Sequence, residues 1–195
     1  MIRKEYKFVL NEYELKEFFF YYSSELKSLY PDRAVTSLYL DTLNFGIFTH
    51  NSNNDINKYT YRFRSYNRDM ITEEIKFNDK SKSKTVNETL FKNFNEIKYV
   101  VYRNRILFPS VFTYYNRSYF QLQNTRVTLD RNIKYYSHSF RSAHKKSFGE
   151  KVNILEMKLQ DNKKDLNIEK NLFSNPQAFS KFNEATRKLY FNEFN

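Results

Sequence analysis

Six stretches of this 195-residue chain alternate an ionisable side chain with an apolar or aromatic one at a spacing of two. That period belongs to a β-strand, whose successive side chains point to opposite faces. Arg3, Glu5 and Lys7 share one face and leave Tyr6 and Phe8 to the other; Arg62 and Arg64 oppose Tyr61 and Phe63. Glu74 and Lys76 flank Ile75, Tyr115 and Arg117 share a face, Arg126, Thr128 and Asp130 oppose Val127 and Leu129, and Glu156 and Lys158 flank Met157. Two arrangements satisfy such stripes. One is a sheet with its apolar face on helices and its charged face in water. The other closes into a barrel of about eight strands, apolar outward beneath the helices and charged inward. Two like charges ~7 Å apart repel by roughly 2–3 kcal/mol at an effective dielectric near 20, so a cationic lumen needs interleaved carboxylates and a polyanionic ligand. Each charge-assisted hydrogen bond to that ligand contributes about 1.5–3 kcal/mol.

The rest of the chain reads as one α+β domain over residues 1–195, with an antiparallel sheet and few helices. Asn11 is placed to cap a helix running to about residue 29, with Leu15, Phe18, Phe19, Tyr22 and Leu26 as its apolar stripe, and Pro31-Asp32 reads as the turn that ends it. Strands are expected at 35–41, 59–66, 71–77, 80–87, 111–122, 125–133 and 152–159. Helices are expected at 91–100 and at the C-terminus, where Phe179, Phe182, Ala185 and Leu189 recur at helical spacing.

Composition narrows the chemistry. Gly46 and Gly149 are the only glycines, which excludes the glycine-rich phosphate loops of nucleotide-binding folds, so side chains must hold any phosphate. They are available: 33 Lys and Arg against 22 Asp and Glu give a net charge of +11 and point to a polyanionic partner. No cysteine is present for disulfides, thiol catalysis or cysteine-ligated metal. No apolar run approaches the ~20 residues of a membrane span, and Met1-Ile2-Arg3-Lys4 leads into charge rather than a signal sequence, so a cytoplasmic protein is expected. His50, His138 and His144 lack metal-ligand spacing and read as surface or loop residues; the cluster from Arg141 to Lys146 reads as a solvated loop.

Taken in order, Arg3-x-Glu5-x-Lys7, Leu38-Tyr39-Leu40-Asp41-Thr42, Tyr61-Arg62-Phe63-Arg64-Ser65-Tyr66, Glu74-Ile75-Lys76, Tyr115-Asn116-Arg117, Arg126-Val127-Thr128-Leu129-Asp130, Leu155-Glu156-Met157-Lys158 and Phe179-Ser180-Lys181-Phe182 resemble the VTC domain of polyphosphate polymerases. That resemblance implies the triphosphate-tunnel fold, an eight-stranded antiparallel β-barrel with flanking helices and a C-terminal helix. It also implies transfer of the ATP γ-phosphoryl group to a growing polyphosphate chain with Mn²⁺ or Mg²⁺. By matching motif, Lys7, Arg62, Arg64, Lys76, Arg117 and Arg126 are the expected phosphate-binding cations, joined by Lys84 and by Ser180 and Lys181 at the start of the last helix. Glu156 is the expected metal ligand. Glu5 and Glu74 either ligate metal as well or orient neighbouring cations, and Asp130 either binds metal through water or pairs with Arg126. Lys80, Lys82 and Lys84 share a strand face that is otherwise an ordinary lysine-guarded edge.

Two positions depart from the family pattern: Thr60 and Ala178 stand where a basic residue is common. Two further functions therefore stay open. One is hydrolysis of inorganic triphosphate or of a nucleoside or RNA 5′-triphosphate in the same fold. The other is non-catalytic binding of polyphosphate or nucleic acid, nucleic acid being the less favoured polyanion.

Overall fold

A computed structural model describes residues 5–53, 58–77, 84–142, 144–159 and 175–191. Ten strands and three helices follow in the order β1 (Glu5–Leu10), α1 (Glu12–Tyr22), β2 (Leu26–Asp41), α2 (Gly46–Ser52), β3 (Tyr59–Tyr66), β4 (Thr72–Phe77), β5 (Lys84–Glu88), β6 (Val100–Tyr102), β7 (Arg105–Leu122), β8 (Thr125–Ser137), β9 (Ser147–Gly149), β10 (Asn153–Leu159) and α3 (Lys181–Thr186). The strands pair as β1-β10-β8-β7-β2-β3-β4-β5, with β6 on β7 and β9 on β8. The α+β class and the antiparallel sheet agree with expectation. The closed eight-stranded barrel does not: the sheet has ten strands, and among the described residues its end strands β1 and β5 do not pair. Side-chain alternation is blind to closure, because an open sheet and a barrel share the same period.

Contacts divide the chain into two compact units. Unit 1 comprises Met1–Arg33, Tyr115–Ile133 and Glu150–Phe179; unit 2 comprises Ala34–Tyr114, Lys134–Gly149 and Ser180–Asn195.

In unit 1, β1 runs antiparallel to β10 with Lys7 opposite Glu156, and β10 runs antiparallel to β8 with Glu156 opposite Thr128. The alternate positions Phe8, Leu10, Val127, Leu129, Leu155 and Met157 bury against Leu15 and Phe18 of α1. Each fully buried side chain of this kind contributes about 1.5–3 kcal/mol. Asn11 caps α1 as expected: its Oδ1 accepts from the Tyr13 and Glu14 amides at 2.9 Å, and Glu14 Oε2 accepts from the Asn11 amide at 2.8 Å. The helix stops at Tyr22, short of residue 29. Leu26, which extends the apolar stripe, packs on the same core from the start of β2. A strand returning over the core thus satisfies the periodicity that suggested more helix. Pro31-Asp32, expected as a turn, lies inside β2 in its exposed stretch, where a missing amide donor costs little.

In unit 2, Leu38, Leu40, Tyr61, Phe63 and Ile75 form the buried apolar face of β2, β3 and β4. The helix expected at 91–100 is a single 3₁₀ turn, Phe94–Glu96, followed by β6. A two-residue turn joins β6 to β7, and Arg103 and Asn104 hold φ of 50° and 58° there without glycine. Helix α2 had no recognised start signal because its cap is displaced upstream. Asp41 accepts from the Thr42, Ile47 and Phe48 amides at 2.7, 2.7 and 3.1 Å, and Thr42 Oγ1 accepts from the Gly46 amide at 2.8 Å. Of the C-terminal stripe, Phe182, Ala185 and Leu189 are buried and α3 continues as a π turn over Arg187–Phe191, whereas Phe179 precedes the helix and is half-buried.

Candidate functional site

The expected cations and carboxylates fall into two clusters, one in each unit. In unit 2, strand pairing sets Ser37 opposite Arg64, Tyr39 opposite Arg62, Arg62 opposite Glu74 and Thr60 opposite Lys76, all on the face away from the apolar core. Arg62 donates from Nε to Glu74 Oε2 at 2.7 Å, approaches it through Nη2 at 2.5 Å, and donates from Nη1 to the Tyr39 hydroxyl at 3.1 Å. Arg64 donates from Nε to Ser37 Oγ at 3.0 Å and from Nη1 to the Tyr66 hydroxyl at 3.4 Å, and its Nη1 lies 3.6 Å from the same Glu74 oxygen. Glu74 is buried and serves both guanidinium groups.

Tyr39 is 3% exposed and stacks on Phe182 at 5.3 Å, which brings the neighbouring Lys181 into the field of the same cluster. Burial pushes its phenol up, but Arg62, Arg64, Lys181 and the Arg62 hydrogen bond overcome it and pull the group down to about 8. Arg62 and Arg64 thus meet on Glu74, beside Tyr39 and within the field of Lys181.

In unit 1, cations and carboxylates interleave on the charged face. Arg117 grips Asp130 with Nε to Oδ1 at 2.5 Å and Nη2 to Oδ2 at 2.7 Å. Lys158 lies 2.8 Å from Glu156 and 3.5 Å from Glu5; Lys7 lies 3.5 Å from Glu5 and donates to the Phe179 carbonyl at 3.0 Å. Burial raises the Glu156 carboxyl, but Lys158, Arg117 and Lys7 outweigh it and hold the group far below the usual carboxylate range. Arg117 is raised despite its burial by Tyr115, Asp130 and Glu156. Lys7, Arg117 and Lys158 thus interleave with Glu5, Asp130 and Glu156, and Arg126 lies on the same face of β8 as Asp130.

Several sequence readings change here. Asp130 pairs with Arg117, not Arg126; Arg126 is exposed opposite Lys158, with its guanidinium 5.6 Å from the Tyr119 ring. Ser180 caps α3 by accepting from the Asn183 amide at 3.4 Å. Lys84 pairs through its backbone with Lys76, and Lys80 and Lys82 lie outside the described residues. Arg141 is no solvated loop cation: it donates to the Asp41, Thr42 and Leu43 carbonyls at 2.9, 2.7 and 2.8 Å and lies 4.5 Å from the Phe45 ring. Tyr39 and Lys158 belong to the clusters although neither stood among the expected site residues. Lys158 was visible on the Glu156 stripe. Tyr39 was masked by Leu38 and Leu40, between which its parity with Ser37 and Asp41 does not show.

Among the described residues no three His, Asp or Glu gather as a metal cage, and no helix is long and apolar enough to cross a membrane.

The VTC domain family model matches residues 2–93 and 78–190. No curated protein matches the chain. Among solved structures, similarity extends to a proposed adenylate cyclase from Vibrio parahaemolyticus, at 11% identity over 83% of this chain and 78% of that one, with a TM-score of 0.46. A protein from Pyrococcus horikoshii OT3 shows 11% identity over 82% and 79%, with a TM-score of 0.49. A proposed adenylyl cyclase from Hippeastrum, for which a dominant triphosphatase activity is described, shows 10% identity over 83% and 80%, with a TM-score of 0.45.

Proposed function

Because this chain belongs to the VTC domain family, we propose that it is an enzyme acting on triphosphates, and specifically a polyphosphate polymerase that moves the ATP γ-phosphoryl group onto a growing polyphosphate chain. The observation that carries the reading is the convergence of Arg62 and Arg64 on Glu74 beside Tyr39, whose phenol also feels the field of Lys181. Phosphoryl transfer asks for little covalent chemistry from a protein; it asks for a triphosphate held in line and for positive charge over its oxygens. Arginine suits that task because its planar fork matches two phosphate oxygens at once. Glu74 holds both forks in place, so little side-chain entropy is left to lose when phosphate arrives.

Lys7, Lys76, Lys84, Arg117, Arg126, Ser180 and Lys181 are the further phosphate contacts in this reading. Arg117 already holds Asp130 with Nε and Nη2.

Mn²⁺ or Mg²⁺ takes one or two carboxylates and completes its shell with phosphate oxygens and water, so a full protein cage is unnecessary. Glu156 and Glu5 fit that requirement: both belong to the charged face of unit 1, and Glu156 is held anionic by its neighbours. When bound, the ion would neutralise developing phosphate charge. Glu74 suits it less, since its Oε2 already receives both arginines.

The test is product analysis. Incubation with ATP and Mn²⁺ should yield long-chain polyphosphate, and Arg62→Ala and Arg64→Ala should each abolish it with folding intact. Free phosphate without chains would replace the polymerase by a triphosphatase. Polyphosphate binding without turnover, undiminished in Glu156→Ala, would replace the enzyme by a binder.

A further inference from the structure

A cleft of about 510 Å³ opens in unit 2, lined in part by Phe112, Tyr114, Tyr136 and His138. Phe112 and Tyr114 share one face of β7, opposite Thr113. The cleft's volume is within the range of small-molecule sites, which combine an apolar lining with a few fixed polar groups.

The wall is aromatic. Phe112 stacks on Tyr114 at 5.9 Å and tilts against His138 at 5.7 Å, and Tyr114 meets Tyr136 edge-on at 5.3 Å. The polar side is cationic. Lys145 lines the cleft with its ammonium 5.1 Å from the Tyr136 ring. His138 is kept neutral by burial and by the fields of Lys98 and Arg141. Its Nδ1 accepts from the Phe140 amide at 3.2 Å, which leaves the proton on Nε2 as a donor. Among the described residues no carboxylate lines the cleft, and Glu96, next to the lining residue Asn95, is occupied by the Lys92 amide and the Asn93 side chain.

We infer that this cleft is a second binding site, for a planar aromatic group that carries an anionic substituent, of the class of a nucleoside monophosphate. The rings supply a stacking surface that accepts any π-face, and the lysine ammonium with the imidazole donor supplies the anion contact. A bare phosphate would leave the rings unused, and a neutral ring would leave Lys145 without its counter-charge.

Adenosine 5′-monophosphate is the probe, read by saturation-transfer NMR and calorimetry on the full chain in an Arg62→Ala/Arg64→Ala background, which removes both guanidinium groups of β3 from the measurement. Saturation transfer to the adenine protons is expected. Tyr114→Ala should weaken binding at least about fivefold while Tyr114→Phe retains it, because stacking needs only the ring. Lys145→Gln should weaken the monophosphate by a similar factor and leave adenosine unchanged. Tyr114 and Lys145 are both exposed, so these variants should fold, as an unchanged unfolding midpoint would confirm. Absence of binding at low-millimolar probe, binding indifferent to Tyr114→Ala and Lys145→Gln, or full competition by inorganic phosphate would each overturn the site. None of these outcomes bears on polyphosphate synthesis.

Discussion

Arg117 holds Asp130 through two parallel contacts, 2.5 and 2.7 Å long, and both groups are largely out of water. A buried pair of this geometry is tolerated because each charge satisfies the other, and it becomes a liability when one is removed. Arg117→Ala or Asp130→Asn should therefore destabilise the protein by about 3–5 kcal/mol in denaturant unfolding, whereas an apolar double replacement should recover most of that loss. A single variant within about 0.5 kcal/mol of the parent would show that the pair is solvated after all.

Glu156 ties stability to pH. Its folded pKa is depressed below the ordinary 4.5, so its contribution is fully present above that value and drains away as pH falls through the folded value. Unfolding midpoints should drop on acidification below about pH 4.5, and Glu156→Gln should flatten part of that limb. An identical acid limb in the variant would contradict the assigned field of Lys158, Arg117 and Lys7.

Tyr39 offers a spectroscopic handle on the cation cluster. Its folded value near 8, below the ordinary 10, means the phenolate form favours the folded state and stability gains as pH rises between the two. Ultraviolet titration should resolve one tyrosinate with a midpoint near 8 that vanishes in Tyr39→Phe. Adding inorganic tripolyphosphate should move that midpoint up, since a bound polyanion offsets the guanidinium field. No movement would place the triphosphate elsewhere.

Arg64 should tolerate lysine poorly. Lysine keeps the charge but cannot reach Ser37, Tyr66 and Glu74 together as the guanidinium does. Loss of one charge-assisted contact costs about 1.5–3 kcal/mol, so Arg64→Lys should weaken tripolyphosphate binding roughly 10- to 100-fold by calorimetry. Undiminished affinity would show that charge alone suffices.

Gly46 tests the displaced cap of α2. A Cβ there would stand 2.7 Å from Thr42 Oγ1, the acceptor of the Gly46 amide. Gly46→Ala should cost about 1 kcal/mol, the size of a lost cap, despite alanine's better helix propensity. A gain in thermal midpoint would mean that Thr42 swings aside freely.

The sheet, its charged stripes and most of its strands were legible from residue order because a two-residue period is a local property that pairing does not alter. Arg62 and Arg64 could be put on one face with Glu74 and Lys76 on a neighbouring strand's face before any coordinates, and so could Glu156 with Lys158. What pairs with what was not legible. Asp130 has Arg126 four residues away along its own strand, yet its partner is Arg117, thirteen residues back on β7, because a cross-strand neighbour is closer than a strand neighbour two steps along. The end of α1, the absence of closure between β1 and β5, the Asp41 cap of α2 and the recruitment of Tyr39 by Phe182 all depend on contacts between residues far apart in the chain. The one-dimensional pattern therefore determined which side chains carry charge and which face each strand buries. Tertiary structure decided how those charges are partnered, bringing Arg62 and Arg64 onto Glu74 in unit 2 and Arg117 onto Asp130 in unit 1, since pairing energies depend on separation in space and not along the chain.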